Sequence, residues 1–172
     1  MRNRLPHSLN GSFCGASAQL CRSALVTFLL QKKKKKKKIE WIADSYTMGS
    51  FDFNGKNFEL LDLPGTYSLY PKTPEEWITT AVLCDETNPS FPDLTLIVAD
   101  STNIKRSVFF ATQVSDLGRP CLLVLNMADM LAGRGEEIDV EAASKLLSIP
   151  VVLVNAIDGK GLDALKQLMA GT

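Results

Sequence analysis

Phe58-Glu59-Leu60-Leu61-Asp62-Leu63-Pro64-Gly65 decides how this chain reads. An apolar run stops at an acid and a Pro-Gly turn, the pattern of a buried strand ended by a tight reversal. A carboxylate at the exit of such a strand suits the water shell of Mg²⁺, which takes oxygen ligands and keeps several waters. Gly65 has no Cβ, so its N–H can approach a phosphate oxygen closely. Asp62 and Gly65 in D-x-x-G spacing are equally compatible with an ordinary strand-to-turn junction, and the flanking sequence has to decide.

Outward from this stretch the pattern is regular. Ser50-Phe51-Asp52-Phe53 alternates and Asn54-Gly55 is a strong two-residue turn, so residues 58–63 are expected to pair back as a hairpin. A polar loop covers residues 66–72. Thr73-Pro74-Glu75-Glu76 then opens a helix to about Asp85, with Thr73 as N-cap, Pro74 in first position and Glu76 closing a capping box. Residues 94–99 read as a second buried strand ending in Asp100. A helix over 103–117 follows, stopped by Gly118 and Pro120. Residues 121–125 form the third strand, running into Asn126-Met127-Ala128-Asp129. Asp139 caps a helix through Leu147, residues 151–154 lead into Asn155-Ala156, and residues 161–169 make a last helix.

Such alternation with fully apolar strands implies an α/β fold, a mostly parallel sheet with helices on both faces. Ligands of these sheets bind beyond the carboxyl ends of the strands. Asp62, Asn126, Asp129, Asn155 and Ala156 all fall there, so three polar clusters converge on one edge.

The 172 residues fit one domain with a substantial core, and 45% hydrophobic with 22% charged residues describes a globular chain. The net charge of zero hides an asymmetry, +8 over residues 1–50 and −8 over residues 51–172. An acidic body argues against nucleic-acid binding. Cys14, Cys21, Cys84 and Cys121 form no C-x-x-C pair and no zinc spacing. Cys84 and Cys121 lie in apolar contexts and read as buried thiols of a reducing, cytosolic compartment. Residues 24–30, the longest apolar run near the N-terminus, are too short to span a bilayer. No small-residue cleavage site follows them, so a signal peptide is not read there.

Residues 1–48 stand apart as an atypical N-terminal segment before a core of residues 49–172. Residues 1–31 sustain no helical or alternating period, and residues 32–38 are seven consecutive lysines, a self-repelling block that is normally solvated or disordered. An electrostatic arm for anionic lipid or nucleic acid is the functional alternative.

Asn126-x-x-Asp129 has a chemical reason to exist. A carboxylate accepts two parallel N–H bonds from N1 and N2 of guanine, which adenine cannot offer, and leaving it unpaired is costly. The Asn side chain ties this loop to neighbouring backbone, and an Ala after the next strand can present its N–H to guanine O6. Any single N-x-x-D is usually a helix cap. The ordered series of D-x-x-G, N-x-x-D and an Ala-containing loop, each after a buried strand, is far more specific.

On these residues the chain resembles the GTPase (G) domains, a P-loop-NTPase-like fold, and within them the G domain of the FeoB ferrous iron transport proteins, over about residues 49–168. The particular stretches are Asp62-Leu63-Pro64-Gly65-Thr66-Tyr67-Ser68-Leu69, Val98-Ala99-Asp100-Ser101-Thr102-Asn103 and Leu125-Asn126-Met127-Ala128-Asp129. Met127 stands where most G domains have Lys and where FeoB-like proteins commonly have Met. The resemblance implies GTP/GDP and Mg²⁺ as cofactors, with Asp62 holding Mg²⁺ through water. Asp62, Leu63, Pro64 and Gly65 would line the phosphate side, Gly65 contacting the γ-phosphate, and residues 66–72 would be the second switch. Asn126, Met127 and Asp129 would form the guanine-reading loop, with Asn155 and Ala156 in the last base loop, which departs from the usual Ser-Ala. It also implies a domain at the cytoplasmic face of the bacterial inner membrane, soluble as a fragment. There, GTP binding and slow hydrolysis would gate Fe²⁺ passage through a membrane-embedded region of the same full-length protein. Fe²⁺ itself would not bind this domain.

The resemblance breaks at the N-terminus. No G-x-x-x-x-G-K-[ST] occurs anywhere, and the switch-one Thr segment is missing. Counting back about forty residues from Asp62, where that motif belongs, reaches Cys21-Arg22-Ser23, and the planar fork of Arg22 is no substitute for Lys in a tight loop. The first strand of the family normally sits beside the strand ending at Asp62, and residues 24–30 are the only apolar segment to fill that slot. Loss of motif, loss of period and a homopolymer together suggest residues 1–48 are foreign to the fold, as a displaced reading frame would make them. Classification as a GTP hydrolase therefore stays open and no catalytic residue is assigned. The alternatives are a soluble GTPase of the ribosome-assembly or tRNA-modification sort and a non-catalytic pseudo-GTPase module.

Overall fold

The structure is a computed structural model and describes residues 25–32 and 47–172, with side chains from Gly49 onward. The strands are β1 (Leu25–Lys32), β2 (Thr47–Phe53), β3 (Lys56–Leu63), β4 (Leu94–Asp100), β5 (Cys121–Asn126) and β6 (Val151–Leu153). They form one sheet in the order β2-β3-β1-β4-β5-β6. The β2–β3 hairpin turns at Asn54 and Gly55, whose φ of +51° and +74° are the left-handed pair a two-residue turn needs.

The helices are α1 (Pro74–Cys84), α2 (Ile104–Ser115), α3 (Ala128–Gly133), α4 (Val140–Leu147) and α5 (Leu162–Gly171). Thr73 caps α1 by accepting the Glu76 N–H at 3.3 Å, while the Glu76 carboxylate reaches one residue further back than a capping box requires, to the Lys72 N–H at 2.6 Å. Asp139 caps α4 by accepting the Ala142 N–H at 2.9 Å. The short α3 was not expected: it begins inside the Asn126–Asp129 loop.

Successive strand residues face opposite sides of the sheet. Leu61, Leu63, Ile97, Ala99, Leu123 and Leu125 pack under α1, α2 and α4, against Val82, Phe110 and Val114. Phe58, Leu60, Leu96, Val98, Leu122 and Val124 form the other core, with Leu165 and Met169 of α5. Burying each such side chain contributes roughly 1.5–3 kcal/mol, so both faces of β4 and β5 must be apolar. Cys121 is buried as expected, but Cys84 is exposed, because the last residue of α1 lies past the helix's packed face.

The centre of the sheet differs from a plain parallel arrangement. Residues 25–32 do fill the slot beside β3, but in reverse. β1 pairs antiparallel with β3, Thr27 opposite Leu63, and antiparallel with β4, Leu25 opposite Ala99. Because β3 and β4 both run against β1, they run with each other, and β4, β5 and β6 are parallel. Four of the six strands thus place their carboxyl ends on one edge, the rim. β1 enters at that rim, at Leu25, and leaves from the opposite edge, at Lys32. The boundary drawn at residues 48/49 falls inside β2, and Cys21-Arg22-Ser23 and Lys33–Lys38 lie outside the described residues.

Candidate functional site

The rim has two halves. On the first, Asn126 ends β5 buried, its Oδ1 accepting the Ala156 N–H at 3.0 Å from the loop after β6. The Ala128 N–H donates to the Val154 carbonyl at 3.3 Å, a second tie between the same loops. Met127 turns the chain with φ +64°, and its carbonyl accepts the Ser101 hydroxyl at 3.1 Å. The ends of β4, β5 and β6 are therefore cross-braced, and Asp129 projects exposed from the first turn of α3. Asn155 is buried, its Oδ1 accepting the Ile157 N–H at 3.1 Å and its own N–H donating to the Lys160 carbonyl at 2.9 Å. Ala156 sits half-buried with its N–H already given to Asn126.

Sequence reading missed two of these supports. Ser101, 3% exposed, follows the Asp that ends β4, and its only local signal is that position. Gly161 closes the Asn155–Lys160 loop at φ +79°, and the clue was Gly-Lys-Gly just before a helix.

The second half is β3 and its exit. Asp62 is the penultimate residue of β3, and by alternation with Phe58 and Leu60 it faces the α5 side, as Asp100 and Asn126 do. Leu63 is buried in the core and offers the rim only backbone. The Pro64 carbonyl accepts the Thr79 hydroxyl from α1 at 2.7 Å, which sets the turn, and Gly65 is exposed. Thr66 is 1% exposed, its hydroxyl donating to the Ser68 carbonyl at 2.8 Å, so it has no free group to orient a water.

The two halves share the rim but are not in contact. β1 and β4 stand between β3 and β5, three strand spacings or about 14 Å. That span suits a ligand with a base at one end and an anionic tail at the other. The base side fits guanine, with a braced carboxylate loop and a fixed neighbouring loop. Among the described residues the phosphate side does not fit: a cradle of N–H groups needs a strand that climbs to the rim and turns over it, and β1 descends from the rim.

Burial pushes the Asp62 carboxyl up to about 6 from an ordinary 3.8. The unfolded chain ionises first, so the fold loses stability as pH rises from about 4 to about 6, and above that the loss is complete. Moving from 3.8 to about 6 corresponds to about 3 kcal/mol, which solvent screening of this partly buried group cuts to about 1 kcal/mol. Asp62→Asn, without added Mg²⁺, is expected to gain that amount at pH 7.5 and nothing at pH 4 in urea denaturation. Equal gains at both pH values would contradict it.

The family described as Ferrous iron transport protein B matches residues 33–169. A relative from Porphyromonas gingivalis, the "Fe(2+) transport protein A/Fe(2+) transporter FeoB fusion protein", is 38% identical over 117 residues, 68% of this chain and 14% of the relative. The "Fe(2+) transporter FeoB" of Salmonella typhimurium is 35% identical over 118 residues, 69% of this chain and 15% of the relative. The chain thus spans about one seventh of the curated relatives it matches. Among solved structures, the FeoB G-domain of Methanococcus jannaschii superposes with a TM-score of 0.66 at 33% identity, covering 72% of this chain and 76% of that one. The GMPPNP form of the cytosolic domain of the T. maritima FeoB iron transporter superposes with a TM-score of 0.69 at 26% identity, covering 96% and 59%. The fold is therefore α/β of the P-loop-NTPase-like G-domain kind.

Proposed function

Because this chain belongs to the FeoB family of ferrous iron transport proteins, we propose that residues 49–172 are the guanine-reading part of a cytoplasmic nucleotide-binding domain. Its working partner is the membrane-embedded region of the same full-length protein, whose passage of Fe²⁺ the domain gates. The observation that carries the reading is the Asn126 Oδ1 bond to the Ala156 N–H, which joins the two base loops to each other. Asp129 would accept guanine N1–H and N2–H, and Ala156 and Asn155 would flank O6. In a complete site Asp62 would hold Mg²⁺ through water and Leu63, Pro64 and Gly65 would line the phosphates; the reversed β1 leaves these four residues without the cradle that would bring phosphates to them. Mg²⁺, when bound, supplies charge neutralisation there.

This chain as it stands is a non-hydrolysing version. The reversed β1 and the internally bonded Thr66 both support that. No observation favours a soluble RNA-associated GTPase, and the acidic body of residues 51–172 opposes it. Membrane placement at the inner face rests on the family.

The test is base discrimination. Guanosine is expected to bind at least about tenfold tighter than adenosine in NMR titration, because adenine leaves the carboxylate unpaired. Asp129→Ala, at an exposed position, should abolish the preference without unfolding the chain. Equal binding of the two nucleosides by the parent chain would end the proposal.

A further inference from the structure

A basic feature of the described residues lies away from the base loops. Residues 51–172 carry nine Lys and Arg against seventeen Asp and Glu, yet three of the nine, Lys72, Lys105 and Arg106, line one cleft of about 520 Å³ between the 66–72 loop and α2. Tyr67, Tyr70 and Phe109 line it too, with Tyr70 77% and Phe109 58% exposed. Neither Lys72 nor Lys105 makes an ion pair among the described residues. The Arg106 guanidinium lies 5.2 Å from the Tyr67 ring centroid, so its face is occupied and its N–H edges stay available. The one acid in the cleft, Glu76, already accepts the Lys72 N–H.

The walls are pre-set. The Leu69 N–H donates to the Gln113 side chain of α2 at 3.0 Å, and the Thr80 hydroxyl of α1 reaches the Leu69 carbonyl at 3.5 Å. A fixed, concave, cationic cleft with exposed aromatic rings is unusual on an acidic body, and its volume lies within the usual range of binding clefts.

We propose that this cleft docks an acidic peptide segment carrying an aromatic or branched aliphatic anchor. Charge complementarity selects the acids, since three cations against the single carboxylate of Glu76, on a body whose residues 51–172 are net negative, concentrate negative charge at one place. The aromatic wall selects the anchor. A small inorganic anion would leave the rings uncovered. An anionic bilayer is disfavoured because the site is concave and the body around it is net negative. This inference is independent of guanine recognition.

The test uses the whole chain against arrayed blocked peptides of about twelve residues that permute Glu and Asp with Leu, Phe and Trp, beside the same array with Lys for each acid. The lysines of residues 32–38 remain in every variant, so only the difference between variants reports the cleft. Acidic-aromatic members are expected to bind, and Lys105→Glu with Arg106→Glu to weaken them at least tenfold at about 0.1 M salt. Phe109→Ser, at an exposed position, should weaken them without loss of fold. Equal binding by parent and variants, or no peptide held below about 1 mM, would overturn the proposal. So would phosphatidylglycerol vesicles losing affinity for the double variant when the peptides do not.

Discussion

Guanosine, GDP and GTP are expected to bind this chain with affinities equal to within about threefold, all near millimolar, with or without Mg²⁺. In a complete site the phosphates receive charge-assisted bonds from backbone N–H groups and a lysine. Each contributes about 1.5–3 kcal/mol, so losing three costs at least about 4.5 kcal/mol, or 10³ in affinity. Here the 172 residues hold no G-x-x-x-x-G-K-[ST], and the strand in the central slot points its carboxyl end at the wrong edge. Among the described residues only Asp62 and the Pro64-Gly65 turn remain on the tail side, and a carboxylate alone repels a triphosphate. Calorimetric titration with the three ligands checks this. A micromolar Kd for GTP beside a millimolar one for guanosine would mean that a phosphate cradle exists and that β1 does not descend from the rim.

Gly161→Ala is expected to cost about 3 kcal/mol, a large share of what a domain of this size holds. A Cβ at Gly161 would stand 2.1 Å from the Leu153 carbonyl oxygen and 3.1 Å from the Val154 Cα, and both neighbours are backbone at the end of β6. The φ of +79° adds its own strain for any side chain. Relief requires moving residues 153–155, which would pull the Ala156 N–H off Asn126 and slacken the loop of residues 126–129 as well. Gly159→Ala is the control. It has the same handedness, φ +81°, but its Cβ meets only the Leu162 Cδ1 at 4.0 Å, so about 1 kcal/mol is expected. Urea denaturation of the two variants decides: a Gly161→Ala as mild as Gly159→Ala would show that the β6 exit is not as close as the structure has it.

Much of this was legible in advance because the signals are local. Thr73-Pro74, Asp139 and Asn54-Gly55 specify their caps and turn within four residues, and the structure realises each. The order of Asp62, Asn126 and Asn155 after three apolar strands was enough to place them on one edge, since strands linked by helices share direction. Ser101 could not be read the same way. A serine after a strand-end Asp has many possible partners, and its bond to the Met127 carbonyl joins positions 26 residues apart. The inward turn of Thr66, whose hydroxyl donates to the Ser68 carbonyl, has no signal in the sequence either, because it is a choice made by the loop's packing.

What residues 49–172 determined by themselves was the α/β core, the polar loops that end its strands at the rim and membership of the family, because period, caps and motif spacing are set by neighbours along the chain. What only the tertiary structure decided was the direction of the central strand. Leu-Val-Thr-Phe-Leu-Leu-Gln-Lys, residues 25–32, reads as an apolar strand from either end. Parallel and antiparallel ladders both satisfy its backbone N–H and C=O groups, so composition cannot choose between them. The slot between β3 and β4 accepted it reversed, so that β1 begins at the rim where a parallel strand would have ended there.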